Sequence, residues 1–210
     1  MQRIVIFDYD GWIINSIPQM YAGECAIFAA EGKLVPSLEE LRMGWGTTDD
    51  WLGFYRRFGI TASPEEIIRV FFSACRNEEA EVYPEIPELL RIIRDCDLPV
   101  VIVSTHPARE IAKKLLREGL FGRFAHIVGS QEQKAQTFEK VCRSFGTNPG
   151  DSIIVGDQAS DVRHGKRAGL LTVSYTGGWG HVTGLRAARP HYLIDRHLEL
   201  VDIIEGLAQK

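Results

Sequence analysis

Six short apolar runs punctuate the chain: RIVIF at 3–7, LPVVIVS at 98–104, AHIVGS at 125–130, SIIVGD at 152–157, LLTVSY at 170–175 and HYLI at 191–194. They are rich in Val and Ile, show no alternation with polar residues, and are bounded by turn formers. Runs of this kind predict strands buried on both faces. Patterns of helical period lie between them, over Ala108–Glu118, Gln131–Phe145 and Asp161–Ala168, with a last one at His197–Leu207. Alternating strand and helix predict an α/β, Rossmann-like core, a parallel sheet with helices on both faces.

Residues 17–83 follow a different pattern, with no convincing strand. Ser37-Leu38-Glu39-Glu40 and Ser63-Pro64-Glu65-Glu66 read as capping boxes, the second with Pro at the first helical position. Ile67, Val70, Phe71 and Ala74 then make an apolar helical face, and a further helix is expected over Asp49–Phe58, stopped by Gly59. The expected organisation is a core of residues 1–16 and 84–210 carrying an all-helical insert at 17–83. There are no internal repeats and no low-complexity segment.

Composition narrows the class. The 210 residues are 45% apolar and 25% charged, as in an ordinary globular protein with room for a core and an accessory piece. A net charge of −4 and the absence of a basic run argue against a nucleic-acid binder. No stretch approaches the roughly 20 apolar residues of a membrane span. The apolar start, Ile4–Phe7, is broken by Asp8, too soon for a secretion signal, so a cytoplasmic protein is expected. The four cysteines, Cys25, Cys75, Cys96 and Cys142, lack C-x-x-C spacing and are expected to be buried reduced thiols.

The first strand runs straight into Asp8 and Asp10, the second ends at Ser104, and the SIIVG strand ends at Asp157, with Asp161 one helical turn on. In an open parallel sheet, ligands bind at the carboxyl ends of the strands. Carboxylates gathered at one edge repel and raise one another's pKa unless a hard cation joins them, and oxygen ligands suit Mg²⁺ better than zinc.

Together, DYDGWIINS, Ser104, Lys134 and GDQASD resemble the four ordered motifs of the haloacid dehalogenase superfamily of phosphohydrolases. The tail, GGWGH…GLRAARPHYLID…ELVDII, is similar to the phosphoglycolate phosphatase-like branch. The resemblance implies that the helical insert is a cap. It implies Asp8 as nucleophile through an aspartyl-phosphate, and Asp10 as general acid and base. Mg²⁺ would be held by Asp8, the backbone carbonyl of Asp10, and Asp157, with Asp161 as ligand or support. Ser104 and Lys134 would bind phosphoryl oxygens, with Lys140 a weaker alternative to Lys134. Gly11, Trp12, Thr105 and Arg42 join Ser104 and Lys134 as candidate substrate contacts. The implied partner is a small phosphorylated metabolite, and the implied assembly a monomer or homodimer.

Rival chemistries can be tested by what is absent. The superfamily's dehalogenases and phosphonate hydrolases replace the second acidic residue of the first motif, which is Asp10 here. Its sugar phosphomutases carry a His early in the first cap helix, where this chain has Pro18-Gln19-Met20-Tyr21-Ala22. Hydrolysis is favoured. A sugar phosphomutase and a phosphate-binding or scaffold protein with little turnover remain the alternatives. Gly177-Gly178-Trp179-Gly180 lacks dinucleotide-binding spacing and is read as a flexible turn near the site mouth, and His106 as a surface residue at a helix start. Trp12 stands where the family usually has Thr or Val, and Asn15 where it often has Asp. The indole is either part of a pocket wall, the reading narrowly favoured, or packing support under the cap.

Overall fold

The computed structural model describes residues 3–45, 50–75, 79–130 and 133–208. Six strands form one parallel sheet: β1 (Val5–Phe7), β4 (Val100–Val103), β5 (His126–Val128), β6 (Ile153–Gly156), β7 (Leu171–Tyr175) and β8 (Tyr192–Ile194), in the order β5-β4-β1-β6-β7-β8. All six fall within the apolar runs of the sequence. β1 is flanked by β4 and β6, with Phe7 level with Ile102 on one side and Val155 on the other. The direction of winding reverses around β1, and this switch point is where open α/β sheets bind ligands.

Alternation along β1 divides the interior in two, because successive strand side chains point to opposite faces. Val5 and Phe7 pack with Leu89 and Ile93 of α5 (Ile86–Asp95), Ile111 of α6 (Ala108–Arg117) and Ile204 of α10 (Glu199–Ala208). Ile4 and Ile6 pack on the other face with Phe138 and Val141 of α7 (Lys134–Ser144) and with Ala168, which follows α8 (Ala159–Arg167). The remaining helix of this layer is α9 (Val182–Ala188).

Between the first two strands of the main sheet lie four helices: α1 (Ile17–Ala30), α2 (Leu38–Trp45), α3 (Trp51–Arg57) and α4 (Pro64–Cys75). They build their own apolar cluster, including Ile27, Phe28, Leu41, Phe54, Tyr55 and Ile67. The Ser37 box forms in full: Ser37 Oγ accepts from the Glu40 amide at 3.3 Å, while Glu40 Oε2 accepts from the Ser37 amide at 2.8 Å. At Ser63 only one half forms, Oγ accepting from the Glu66 amide at 3.2 Å.

Some elements depart from expectation. A strand does occur within 17–83: β3 (Glu81–Val82) pairs antiparallel with β2 (Ile14–Asn15), so the chain enters and leaves the helical segment side by side. α1, α5 and α9 are helices that the pattern reading did not name. The expected starts of two helices, Asp49 and Gln131, lie outside the described residues. Among the cysteines only Cys142 is buried; Cys25 and Cys75 are half-buried, Cys96 is exposed, and all four are free. Among the described residues no helix is long and apolar enough to cross a membrane.

Candidate active site

The carboxyl ends of β1, β4 and β6 deliver Asp8, Ser104 and Asp157 to one edge, all three buried. Carboxylate oxygens of Asp8, Asp157 and Asp161 lie within 4.8 Å of one another. Lys134, the first residue of α7, reaches between two of them, its Nζ 2.9 Å from Asp8 Oδ2 and 2.8 Å from Asp161 Oδ1. Burial by itself would lower the Lys134 pKa, but Asp161 and Asp8 hold it above the ordinary lysine value. Burial pushes the carboxyls of Asp8 and Asp157 up, and neighbouring carboxylates push them further.

Three carboxylates against one ammonium leave a formal charge of −2 when all are ionised, the charge that one divalent cation cancels. Asp157 Oδ1 is buried and accepts no hydrogen bond among the described residues, although Oδ2 accepts from the Trp179 amide at 2.6 Å. An unpartnered buried oxygen on a member of this carboxylate cluster fits a hard, oxygen-seeking ion such as Mg²⁺. Asp161 is differently engaged. Its Oδ1 takes the Lys134 bond, and Oδ2 accepts from the Gln158 amide at 3.1 Å in the capping box that starts α8. Both oxygens being occupied, its arrangement serves to aim Lys134 and to cap the helix.

Asp10 stands further out, its side chain 26% exposed, with His106 Nδ1 3.3 Å from Oδ2. His106 is therefore a neighbour of the site. Burial would lower its pKa, but the bond to Asp10 turns the net shift upward. Its ring packs edge-on against Tyr9, with centroids 5.3 Å apart. The His106 amide also donates to Ser104 Oγ at 3.1 Å, which leaves the Ser104 hydroxyl proton available to a ligand. Thr105 is exposed.

Gly11 and the 177–180 loop close tightly around Asp157. Gly11 has φ +77°, and a Cβ there would lie 2.1 Å from Asp157 Oδ2. A Cβ on Gly178 would lie 2.4 Å from the same oxygen, and one on Gly180 would lie 1.9 Å from the Asp157 carbonyl. Only glycine lets backbone pass this close. The GGWG segment is thus a fitted wrap around Asp157 in place of the flexible turn expected.

Two sequence-based candidates are redirected. Arg42, expected as a substrate contact, spends its guanidinium on backbone carbonyls: Nε donates to Trp179 at 2.9 Å, and Nη2 to Gly178 at 2.8 Å and Gly180 at 3.2 Å. Trp12, narrowly expected in a pocket wall, is fully buried in the core under the main sheet. Its indole stacks on His197 at 4.4 Å and meets Phe7 and Tyr175 edge-on at 5.4 and 5.3 Å. His197 Nε2 sits 2.9 Å from the Trp12 carbonyl. The ring offers a ligand no accessible face, because the chain after Gly11 turns it down onto β1 and β7. A tail residue, His197, completes that box, which position 12 alone could not announce.

An α/β sheet with clustered carboxylates and one lysine at its switch point defines a metal-suited acidic site. A model of the family "Haloacid dehalogenase-like hydrolase" matches residues 5–174, and the chain belongs to that family. Its sequence is 26% identical over 224 residues to Phosphoglycolate phosphatase 1 of Pseudomonas aeruginosa, covering 100% of this chain and 82% of that one. It is 24% identical over 220 residues to a phosphoglycolate phosphatase of Haemophilus influenzae, covering 96% and 98%. In structure it is similar to a haloacid dehalogenase-like hydrolase from Streptococcus pneumoniae, with TM-score 0.79 at 20% identity and 97% and 98% of the two chains covered.

Proposed function

We propose that this protein is a Mg²⁺-dependent phosphatase that hydrolyses a small phosphomonoester, similar in substrate to phosphoglycolate, through an aspartyl-phosphate. The observation that carries the reading is the buried Asp8–Asp157–Asp161 cluster with Lys134 inside it and one carboxylate oxygen unpartnered. The names of its relatives at about a quarter identity support the phosphomonoester class. Residues 17–83 are proposed to be the cap over the site, with 1–16 and 84–210 as the core.

Asp8 attacks phosphorus; the bond to its oxygen forms as the bond to the leaving alcohol breaks, and Asp10 gives that alcohol its proton. Water then attacks the same phosphorus, Asp8 departs as carboxylate, and Asp10 takes the proton back. Lys134 and the Ser104 hydroxyl bind the phosphoryl oxygens and keep them in line with Asp8. Asp8, Asp157 and the Asp10 carbonyl would hold Mg²⁺, which when bound neutralises phosphoryl charge. His106 keeps the Asp10 carboxylate at the mouth of the site.

Turnover of p-nitrophenyl phosphate and of a panel of phosphorylated metabolites, phosphoglycolate included, tests the reading. Activity is expected to vanish with EDTA, to return with Mg²⁺, and to fall by roughly a thousandfold or more in Asp8→Asn. Mg²⁺-dependent turnover that persists in Asp8→Asn would overturn the nucleophile.

A further inference from the structure

The 177–181 segment is held from two sides. Towards the sheet, its backbone lies on Asp157 and the Trp179 amide donates to Asp157 Oδ2. Towards the helices, the Trp179 side chain is buried as a member of the same apolar cluster as Leu41, Phe54 and Tyr55. Arg42 of α2 grips the carbonyls of Gly178, Trp179 and Gly180. One turn earlier, Glu39 Oε1 lies 2.8 Å from His181 Nε2. At the exit from the helical segment, the Tyr83 hydroxyl donates to the Gly177 carbonyl at 3.2 Å. Every one of these helix-side contacts ends on a strap whose other side holds Asp157.

We infer that Arg42 and Trp179 are positioning residues for Asp157, so that the seating of the cap and the binding of the metal are coupled through the 177–181 strap. The inference rests on the proposed Mg²⁺ role of Asp157. When the cap is seated, the Arg42 fork fixes three successive carbonyls, which sets the plane of the peptide that presents the Trp179 amide to Asp157. That amide occupies Oδ2 and leaves Oδ1 buried with no hydrogen-bond partner among the described residues. When the cap lifts, Trp179 must either leave its apolar seat or drag the strap off Asp157. Either way Asp157 loses the donor that orients it. Coupling of this kind is reciprocal: a metal that prefers the oriented carboxylate also favours the seated cap by the same free energy. The strap thereby links closure over the substrate to completion of the metal site, although none of its side chains touches the reacting atoms.

Titration of the whole protein with Mg²⁺ by calorimetry, with amide hydrogen exchange across 177–181, tests this. Arg42→Gln is expected to weaken Mg²⁺ binding by about tenfold or more, the usual effect of removing a partner behind a ligand. It is also expected to speed exchange of the Trp179 amide in the absence of metal. Arg42→Lys, which keeps the charge but loses the fork, should fall between the two. Added Mg²⁺ should slow exchange at Trp179 in the wild type and do so less in Arg42→Gln. Trp179→Phe, which keeps an aromatic plug, serves as the variant that stays folded, with a smaller loss of affinity expected. A wild type that binds Mg²⁺ beside an Arg42→Gln that binds it equally well would overturn the coupling while leaving the functional reading intact. A wild type with no affinity for Mg²⁺ would bring down the functional reading itself, and the coupling with it.

Discussion

The sheet edge and the helical segment each bury carboxylates, and they differ in whether a cation has been placed beside them. At the edge, Asp8, Asp157 and Asp161 share one ammonium, and one oxygen is left without a donor. Among the described residues of the helical segment, one carboxylate is buried: Glu24, 1% exposed. Its Oε1 accepts from Trp45 Nε1 and from the Tyr55 hydroxyl, each at 3.1 Å, and Oε2 has no partner among the described residues. Both donors are neutral, and burial pushes the Glu24 pKa up to about 7. Burial raises the carboxyls of both regions, but the lone Glu24 can relieve it only by keeping a proton, whereas the crowded set has a lysine that offsets part of the push and leaves room for a cation. Burial by itself therefore does not mark a reactive site. What separates the two is whether charge of opposite sign has been built in beside the carboxylate.

Removing that built-in charge should give the largest effect. Lys134→Met leaves three buried carboxylates without their cation. It should lower stability by about 3–5 kcal/mol in metal-free buffer, with part of the loss recovered on adding Mg²⁺. Denaturant melts with and without Mg²⁺ measure both, and a variant as stable as the wild type would erase the contrast with Glu24.

The packing beneath the edge can be removed separately. Trp12→Thr should cost roughly 3 kcal/mol or more, as for loss of a buried aromatic, while the substrate profile across phosphomonoesters stays as it was. A shifted substrate preference with an unchanged melting temperature would return the indole to the pocket.

For Glu24 the sign of the pH dependence follows from its raised pKa. The folded state holds the proton up to about pH 7, against an ordinary carboxyl value of 4.5. The stability it lends is complete below about pH 4.5 and is lost as pH rises through 7. Glu24→Gln should be more stable than the wild type at pH 8, by on the order of 3 kcal/mol relative to their difference at pH 4.5. Parallel melts at the two pH values decide it, and equal differences at both would mean that Glu24 is ionised in the fold.

The smallest effect expected is that of the metal on the intact protein. Mg²⁺ at a hundred times its Kd should add about 2.7 kcal/mol of stability, and little in Asp157→Asn. An equal gain in that variant would place the ion elsewhere.

What could be read from the chain was decided by local rules. A strand buried on both faces in a parallel sheet must be a continuous apolar run, and it ends where the first polar residue reaches the sheet edge. That rule located all six strands of the main sheet and set Asp8, Ser104 and Asp157 at their ends. The Ser37 capping box was legible because its partners lie three residues apart. α1 was not named as a helix: its sequence, IPQMYAGECAIFAA, is apolar on several sides and carries Glu24 towards Trp45 and Tyr55, partners supplied by other helices. The fates of Trp12, Arg42 and Trp179 were set by contacts 136 to 185 residues away in sequence, to His197 for the first and between Arg42 and the 178–180 carbonyls for the others. No local pattern encodes such contacts. A side chain's propensity is fixed by its own chemistry, but its role depends on which surface the fold brings against it.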